Sequence, residues 1–318
     1  MKSKWNSSDI LRVFLFIAIP VFFACMNSFF LTSGNLFALM QNFGLVGLVA
    51  LGLVLTMIVG EFDLSVASMV AVGGLILAKT GVDSAVIGVF WAVMFGLVVG
   101  LINAAFIIKL KVSSLVSTLG MMILLSGFAY WIADGNVVPY YNFDASDVLD
   151  AQIAYVLSPR ILITVAAMIV VYLLLSFTRL GRDLYATGSH RQSAIMSGAN
   201  TSAALCVAFG CSGMLAALAG ALISISLATG SPTLGDTLLI QAASAAILGG
   251  VSLGGGVGKI HQVAVGVMIL AALGNGLSLM GASSATTLLV NGCVLGFVVL
   301  MNGDLSSLRL NLLKKTHG

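Results

Sequence analysis

The chain has 318 residues, of which 59% are hydrophobic and 8% charged, with a mean hydropathy of +1.12. Soluble domains carry about 25% charged residues, so this composition excludes a soluble protein built around a large core. The net charge of +3 is too small to imply a nucleic-acid partner, and its distribution along the chain is more informative than its size.

Repeated apolar segments of about 20 residues predict an all-α polytopic bundle of membrane helices. A β-barrel needs short alternating strands with polar inward faces, and stretches such as ILITVAAMIVVYLLL (161–175) do not alternate. Ten spans are expected, at 10–32, 43–60, 64–80, 84–108, 112–133, 160–178, 201–229, 236–253, 260–281 and 285–302. The first has an apolar stretch longer than the 7–15 residues of a signal-peptide core and no A-x-A cleavage pattern, so it reads as an uncleaved span. No soluble domain interrupts the series. Cys25, Cys206, Cys211 and Cys293 lie inside apolar segments, with no metal-site spacing, and read as small buried hydrophobes.

Basic residues set the orientation. With both termini cytoplasmic, the inner segments hold Lys2, Lys4, Arg12, Lys109, Lys111, Arg179, Arg182, Arg191, Lys259, Arg309, Lys314 and Lys315, leaving only Lys79 and Arg160 outside. The acidic loop at 134–152, with Asp134, Asp144, Asp147 and Asp150, then faces outward. Merging the second and third spans would put the later basic loops on the wrong side. A weak internal echo lays 100–124 over 273–297, aligning Asn103 with Asn275. A five-span offset would make the halves an inverted repeat.

Enzyme signatures are lacking. There is no paired Cys/His ligand set, no G-x-S-x-G elbow and no credible triad, and His190, His261 and His317 all fall at expected cytoplasmic edges. LGGGVGKI (253–260) looks like a phosphate loop but fails G-x-x-x-x-G-K-[ST]. The position five before Gly258 is Leu253, and Lys259 is followed by Ile260. Any ATP must therefore be hydrolysed by another polypeptide, and no cofactor is expected on this chain. The cluster Gly249, Gly250, Gly254, Gly255, Gly256 and Gly258 marks a turn or close backbone contact, because glycine weakens a helix by about 1 kcal/mol. Two readings stand: tight helix packing, or a flexible gate segment lining a path.

The loop TRLGRDLYATGSHRQSAIMSGAN (178–200) is the longest on the inner side and reads as helical. A Gly-Ser turn leads into HRQSAIMSG, with Ala194, Ile195 and Gly198 on one amphipathic face. It suits either a helix lying on lipid headgroups or a docking helix for a cytoplasmic partner.

Together, GEFDLSVASMVAVGG (60–74), ATGSHRQSAIMSGAN (186–200) and AAILGGVSLGGGVGKI (245–260) resemble the permease subunits of bacterial sugar ABC importers, in particular the ribose, arabinose and xylose group. The likeness runs in matching order over nearly the whole chain. Phe62 and Ala67 point to the arabinose-type branch. The resemblance implies one transmembrane permease domain over 1–318, with a periplasmic loop at 134–159 and a cytoplasmic coupling loop at 179–200. It further implies a second permease copy, a periplasmic binding protein and cytoplasmic ABC ATPases that bind the ATP. In the family's coupling motif, G-x-x-x-E-A-A-x-x-[SA]-G, Gly188 stands for the first Gly and Gln192 replaces Glu. Ser193 and Ala194 stand for Ala-Ala, and Ser197 and Gly198 close the motif, with His190 and Arg191 between. The Glu-to-Gln change weakens any ion-pair role there.

The charge count places Gly60, Glu61, Asp63 and Ser65 at the inner membrane rim. Asp63 precedes the third span, where it can accept from the N–H of Ser65 or Val66 as a helix cap. Glu61 has no such duty and can pair with Lys109, Lys111 or Lys259. A path for a neutral sugar should be polar but uncharged. Asn103, Ser114, Ser117, Thr118, Gln241, Ser244, Asn275 and Asn291 are the intramembrane candidates, each equally suited to a helix–helix hydrogen bond.

Overall fold

The computed structural model describes residues 7–302. Lys2, Lys4, Arg309, Lys314, Lys315 and His317, used in reading the orientation and the histidines, lie outside them. The described chain forms thirteen helices: α1 (Ser7–Met26), α2 (Ser33–Ile58), α3 (Val66–Thr80), α4 (Ala85–Lys109), α5 (Ser114–Ile132), α6 (Phe143–Leu149), α7 (Pro159–Phe177), α8 (Arg179–Ser189), α9 (Arg191–Met196), α10 (Thr201–Leu227), α11 (Leu238–Leu248), α12 (Ile260–Leu279) and α13 (Ser284–Asn302). Ten of them follow the predicted apolar segments in order. Seven (α1, α2, α4, α5, α7, α10 and α12) are long and apolar enough to cross a membrane, while α3, α11 and α13 are shorter as apolar helices.

The largest departure lies between the first two segments. α1 stops at Met26, and α2 begins at Ser33 instead of 43. Polar residues disguised this start, yet Asn35 is satisfied by the Phe30 carbonyl (2.8 Å) and by Asn275 (2.9 Å).

α2 is the central post, buried on all sides from Val46 to Ile58 apart from Leu45 just before it. α10 packs beside it and against α3 and α4 through small residues. A methyl group added at Gly96 would lie 2.3 Å from the Gly213 carbonyl, and one at Gly220 would lie 1.9 Å from that of Val70. Without a hydrophobic driving force between helices in lipid, such backbone approach supplies the packing. α1 fastens to α12 by setting the Phe23 ring over Gly276. The outward faces of α1, α4, α5 and α7 expose large apolar residues such as Phe14, Trp91, Ile123 and Val170, as lipid contact requires. Cys25 and Cys293 belong to this exposed surface and Cys206 and Cys211 are half-buried, so the four are not the core residues expected.

The acidic segment folds down onto the bundle. Val138 and Pro139 (β1) pair antiparallel with Thr229 and Gly230 (β2) after α10. The fully buried Tyr140 donates its hydroxyl to the Gly81 carbonyl (3.1 Å). The Ser146 hydroxyl bonds the Ile225 carbonyl. Asp150 is ion-paired with Arg160 and accepts from Gln41 (2.9 Å), which ties α6 to α2 and α7.

Candidate functional site

Two regions gather the candidate residues. The first is a junction at the end of the bundle that carries α9. Here the three sequence stretches singled out above meet backbone to backbone. The Gly256 N–H donates to the Ile58 carbonyl (2.9 Å). Gly188 sits between them so tightly that a methyl group there would lie 1.8 Å from the Ile58 oxygen and 2.6 Å from the Gly256 nitrogen. Gly255, at φ +84°, abuts Gly188 and Gly60, a left-handed conformation that favours glycine. Tyr185 of α8 donates to the Gly258 carbonyl (2.6 Å), and burial pushes its phenol above the usual range, keeping it protonated as a donor. The glycine cluster thus serves tight packing here. Gly249 likewise packs on Gln262 and Val263 at the start of α12.

The loop after α8 corrects one expectation. Gly188 and Ser189 are not a turn; they complete the last turn of α8, and the chain breaks at the extended His190 (φ −162°). His190 Nδ1 then accepts from the Ser193 N–H (3.2 Å), capping α9. Ala194 is buried, but Ile195 does not share its face: Ile195 is 57% and Met196 88% exposed. Gly198, at φ +80°, ends α9. Ser197 donates back to the Ser193 carbonyl (2.9 Å). Asp183 accepts from the Asn200 N–H (3.3 Å), folding the loop against α8. Gln192 is exposed.

Glu61 pairs with Arg191 (3.4 Å) rather than with Lys109, Lys111 or Lys259. No local spacing points to this pair, because the partners are 130 residues apart. The contact links the 59–65 loop directly to α9.

Asp63 accepts from the Ser65 N–H (3.0 Å), as the cap reading requires. Its depth differs from expectation. It is 1% exposed and also accepts from the hydroxyls of Ser65 (2.5 Å) and Ser212 (2.8 Å). Ser212 stands about 16 Å along α10 from its first residue, at a rise of 1.5 Å per residue. Asn103 donates to Ser65 Oγ (3.1 Å) from about 9 Å inside the end of α4. The carboxylate is therefore buried within the bundle and held from α10 as well as from its own loop. Thr118 accepts from the Leu64 N–H (3.1 Å), and its hydroxyl lies 2.8 Å from the Ser114 carbonyl. Asn103 and Thr118 thus bond this loop, Ser114 accepts from Thr118, and Ser117 lies buried beside them.

The second region is a cavity of about 360 Å³ in the opposite half, bounded by α2, α11, α12 and α13. Gln241 and Asn291, expected on a path, do line it, together with Asn42, Thr237, Ser278, Ser284 and Thr287, which sequence reasoning missed. Asn275 does not. Its amide exchanges two 2.9 Å bonds with that of Asn35, closing α12 on α2. Ser244 is buried within α11.

A bundle of seven long and three shorter apolar helices, an exposed short helix at one end and a polar cavity toward the other fits a membrane transport protein. Residues 35–299 match the family described as branched-chain amino acid transport system / permease component. The chain belongs to that family of transport-system permease components and is a multi-pass protein of the inner membrane. It is 32% identical to the ribose import permease protein of Bacillus subtilis over 91% of this chain and 90% of that one. The L-arabinose transport system permease protein of Escherichia coli is 33% identical over 92% and 88%. The D-allose transport system permease protein of the same organism is 30% identical over 87% and 86%. No solved structure matches the chain.

Proposed function

We propose that this chain is the permease subunit of an ATP-driven importer that passes a monosaccharide from a periplasmic binding protein to the cytoplasm. The single observation that carries the reading is α9. It presents exposed Ile195 and Met196 at the tip of an otherwise polar loop, and its base is pinned through Gly188, Glu61 and Asp183 to the core. An apolar knob on a rigid mount suits a groove on an ATPase subunit, where ATP is bound and hydrolysed. The basic-residue distribution supports ten spans with both termini cytoplasmic, which puts α9 on the ATPase side, and the weak echo between Asn103 and Asn275 supports an inverted repeat. The names of the relatives support a sugar as cargo, and a second permease copy is part of the same proposal.

The test is co-purification. Met196→Asp should abolish recovery of the co-expressed ATPase with the tagged full-length chain while membrane yield stays level. Undiminished recovery from Met196→Asp and Ile195→Asp would refute the docking role.

A further inference from the structure

Seven uncharged hydrogen-bonding side chains converge on the cavity between α2, α11, α12 and α13: Asn42, Thr237, Gln241, Ser278, Ser284, Thr287 and Asn291. Among the described residues, none of the seven forms a side-chain hydrogen bond to protein, while the neighbouring Asn35–Asn275 pair is fully satisfied. Asn291 Oδ1 is buried without any partner. Buried polar atoms in folded proteins are nearly always paired, and leaving one orphaned costs about 1–3 kcal/mol. Asn42, Thr237, Ser278 and Ser284 are exposed and Gln241, Thr287 and Asn291 half-buried, so the set on these four helices is free to meet a solute entering from water. Its volume, about 360 Å³, lies at the small end of ligand pockets.

The chemistry of the lining selects the class. No Asp, Glu, Lys, Arg or His borders the cavity. A zwitterion would bring an ammonium and a carboxylate into a low-dielectric site with no counter-charge, at a cost of several kcal/mol. A hydroxyl-rich neutral molecule meets no such barrier. Each of its hydroxyls donates and accepts, and so matches amide and hydroxyl side chains, while Val46, Leu270 and Leu288 offer an apolar wall to its C–H face.

We infer that this cavity is a recognition site within a single permease chain for an uncharged aldopentose or aldohexose, and that it rejects amino acids. The inference rests on the import reading, and it departs from the amino-acid wording of the family description.

Accessibility of a cysteine at the cavity tests it. Thr287→Cys is introduced into the full-length chain assembled with its ATPase in lipid nanodiscs and reacted with a cationic methanethiosulfonate. The native Cys25 and Cys293 are exposed and are first replaced by serine, so that the reagent reads position 287 alone. The rate should fall about tenfold when D-ribose, L-arabinose or D-allose is titrated to about ten times its half-effect concentration, with no change in L-leucine. Asn291→Ala in the same background should remove the protection. If Thr287→Cys fails to assemble, Ser278→Cys reads the same cavity. Protection by leucine, or by none of the sugars, overturns the inference even where the ATPase assembles normally. Absence of the ATPase from the complex counts against the import reading, and sugar protection in the isolated chain would still support the cavity.

Discussion

Substituting Asp63 separates a carboxylate that holds the bundle together from one that serves ion coupling. In Asp63→Ala the Ser65 N–H, whose acceptor is Asp63 Oδ1, is left orphaned in a buried site at about 1–3 kcal/mol. The Ser65 and Ser212 hydroxyls lose bonds to a charged acceptor worth about 1.5–3 kcal/mol each. Ser212 recovers part by turning onto the carbonyl four residues earlier in α10, and removal of a desolvated charge offsets more. A net loss of about 2–3 kcal/mol is expected. Asp63→Asn keeps an oxygen for the Ser65 N–H and offers an N–H to Ser212, so it should cost less than about 1 kcal/mol. Thermal denaturation of the full-length chain in detergent, followed by size exclusion, ranks the two. Equal losses for Asn and Ala would refute the capping role. An Asn variant of normal stability whose uptake loses its dependence on pH would establish ion coupling instead.

Gly188→Ala should disrupt the junction severely, because its methyl group meets backbone atoms of Ile58 and Gly256; a loss of about 3 kcal/mol or more, or failure to accumulate in the membrane, is the expected reading. Asp150→Ala should destabilise more than Arg160→Ala. Arg160 is 6% exposed and left without counter-charge in the first, a cost near 3–5 kcal/mol, whereas Asp150 keeps Gln41 and 28% exposure in the second; the two melting temperatures decide. Glu61→Gln should change stability by less than about 0.5 kcal/mol, since Arg191 is 41% exposed and the pair is 3.4 Å long. Its effect should appear in transport-coupled ATP hydrolysis, and a charge-swapped Glu61→Arg/Arg191→Glu double variant should restore it.

The helix order was legible because each apolar run is long enough to declare itself, and the interrupting Gly, Asp and Asn residues mark where runs end. The start of α2 was not, since Asn35 looks like loop until Asn275 of α12 stands beside it. Charge counting fixed the end of the bundle to which GEFDLS belongs but not its burial, because the groups around Asp63 and Ser65 come from α10 and α4. Glu61–Arg191 and Asp63–Ser212 join residues 130 and 149 apart, which no local pattern encodes. The cavity was half-legible. Gln241 and Asn291 stood out as amides in apolar runs, whereas Thr237, Ser278 and Thr287 passed as ordinary helix-end residues. A signal was present in the spacing: Thr237 with Gln241, Gly274 with Ser278 and Thr287 with Asn291 are i, i+4 pairs, one small or polar stripe on each of three helices.

The Asp63 network also constrains how the protein is made. Ser212 emerges from the ribosome 149 residues after its partner, and Asn103 of α4 emerges 38 residues after Ser65. A carboxylate does not rest in hydrocarbon without its donors. The segment 59–65 must therefore wait beside water or the insertion machinery until α10 arrives.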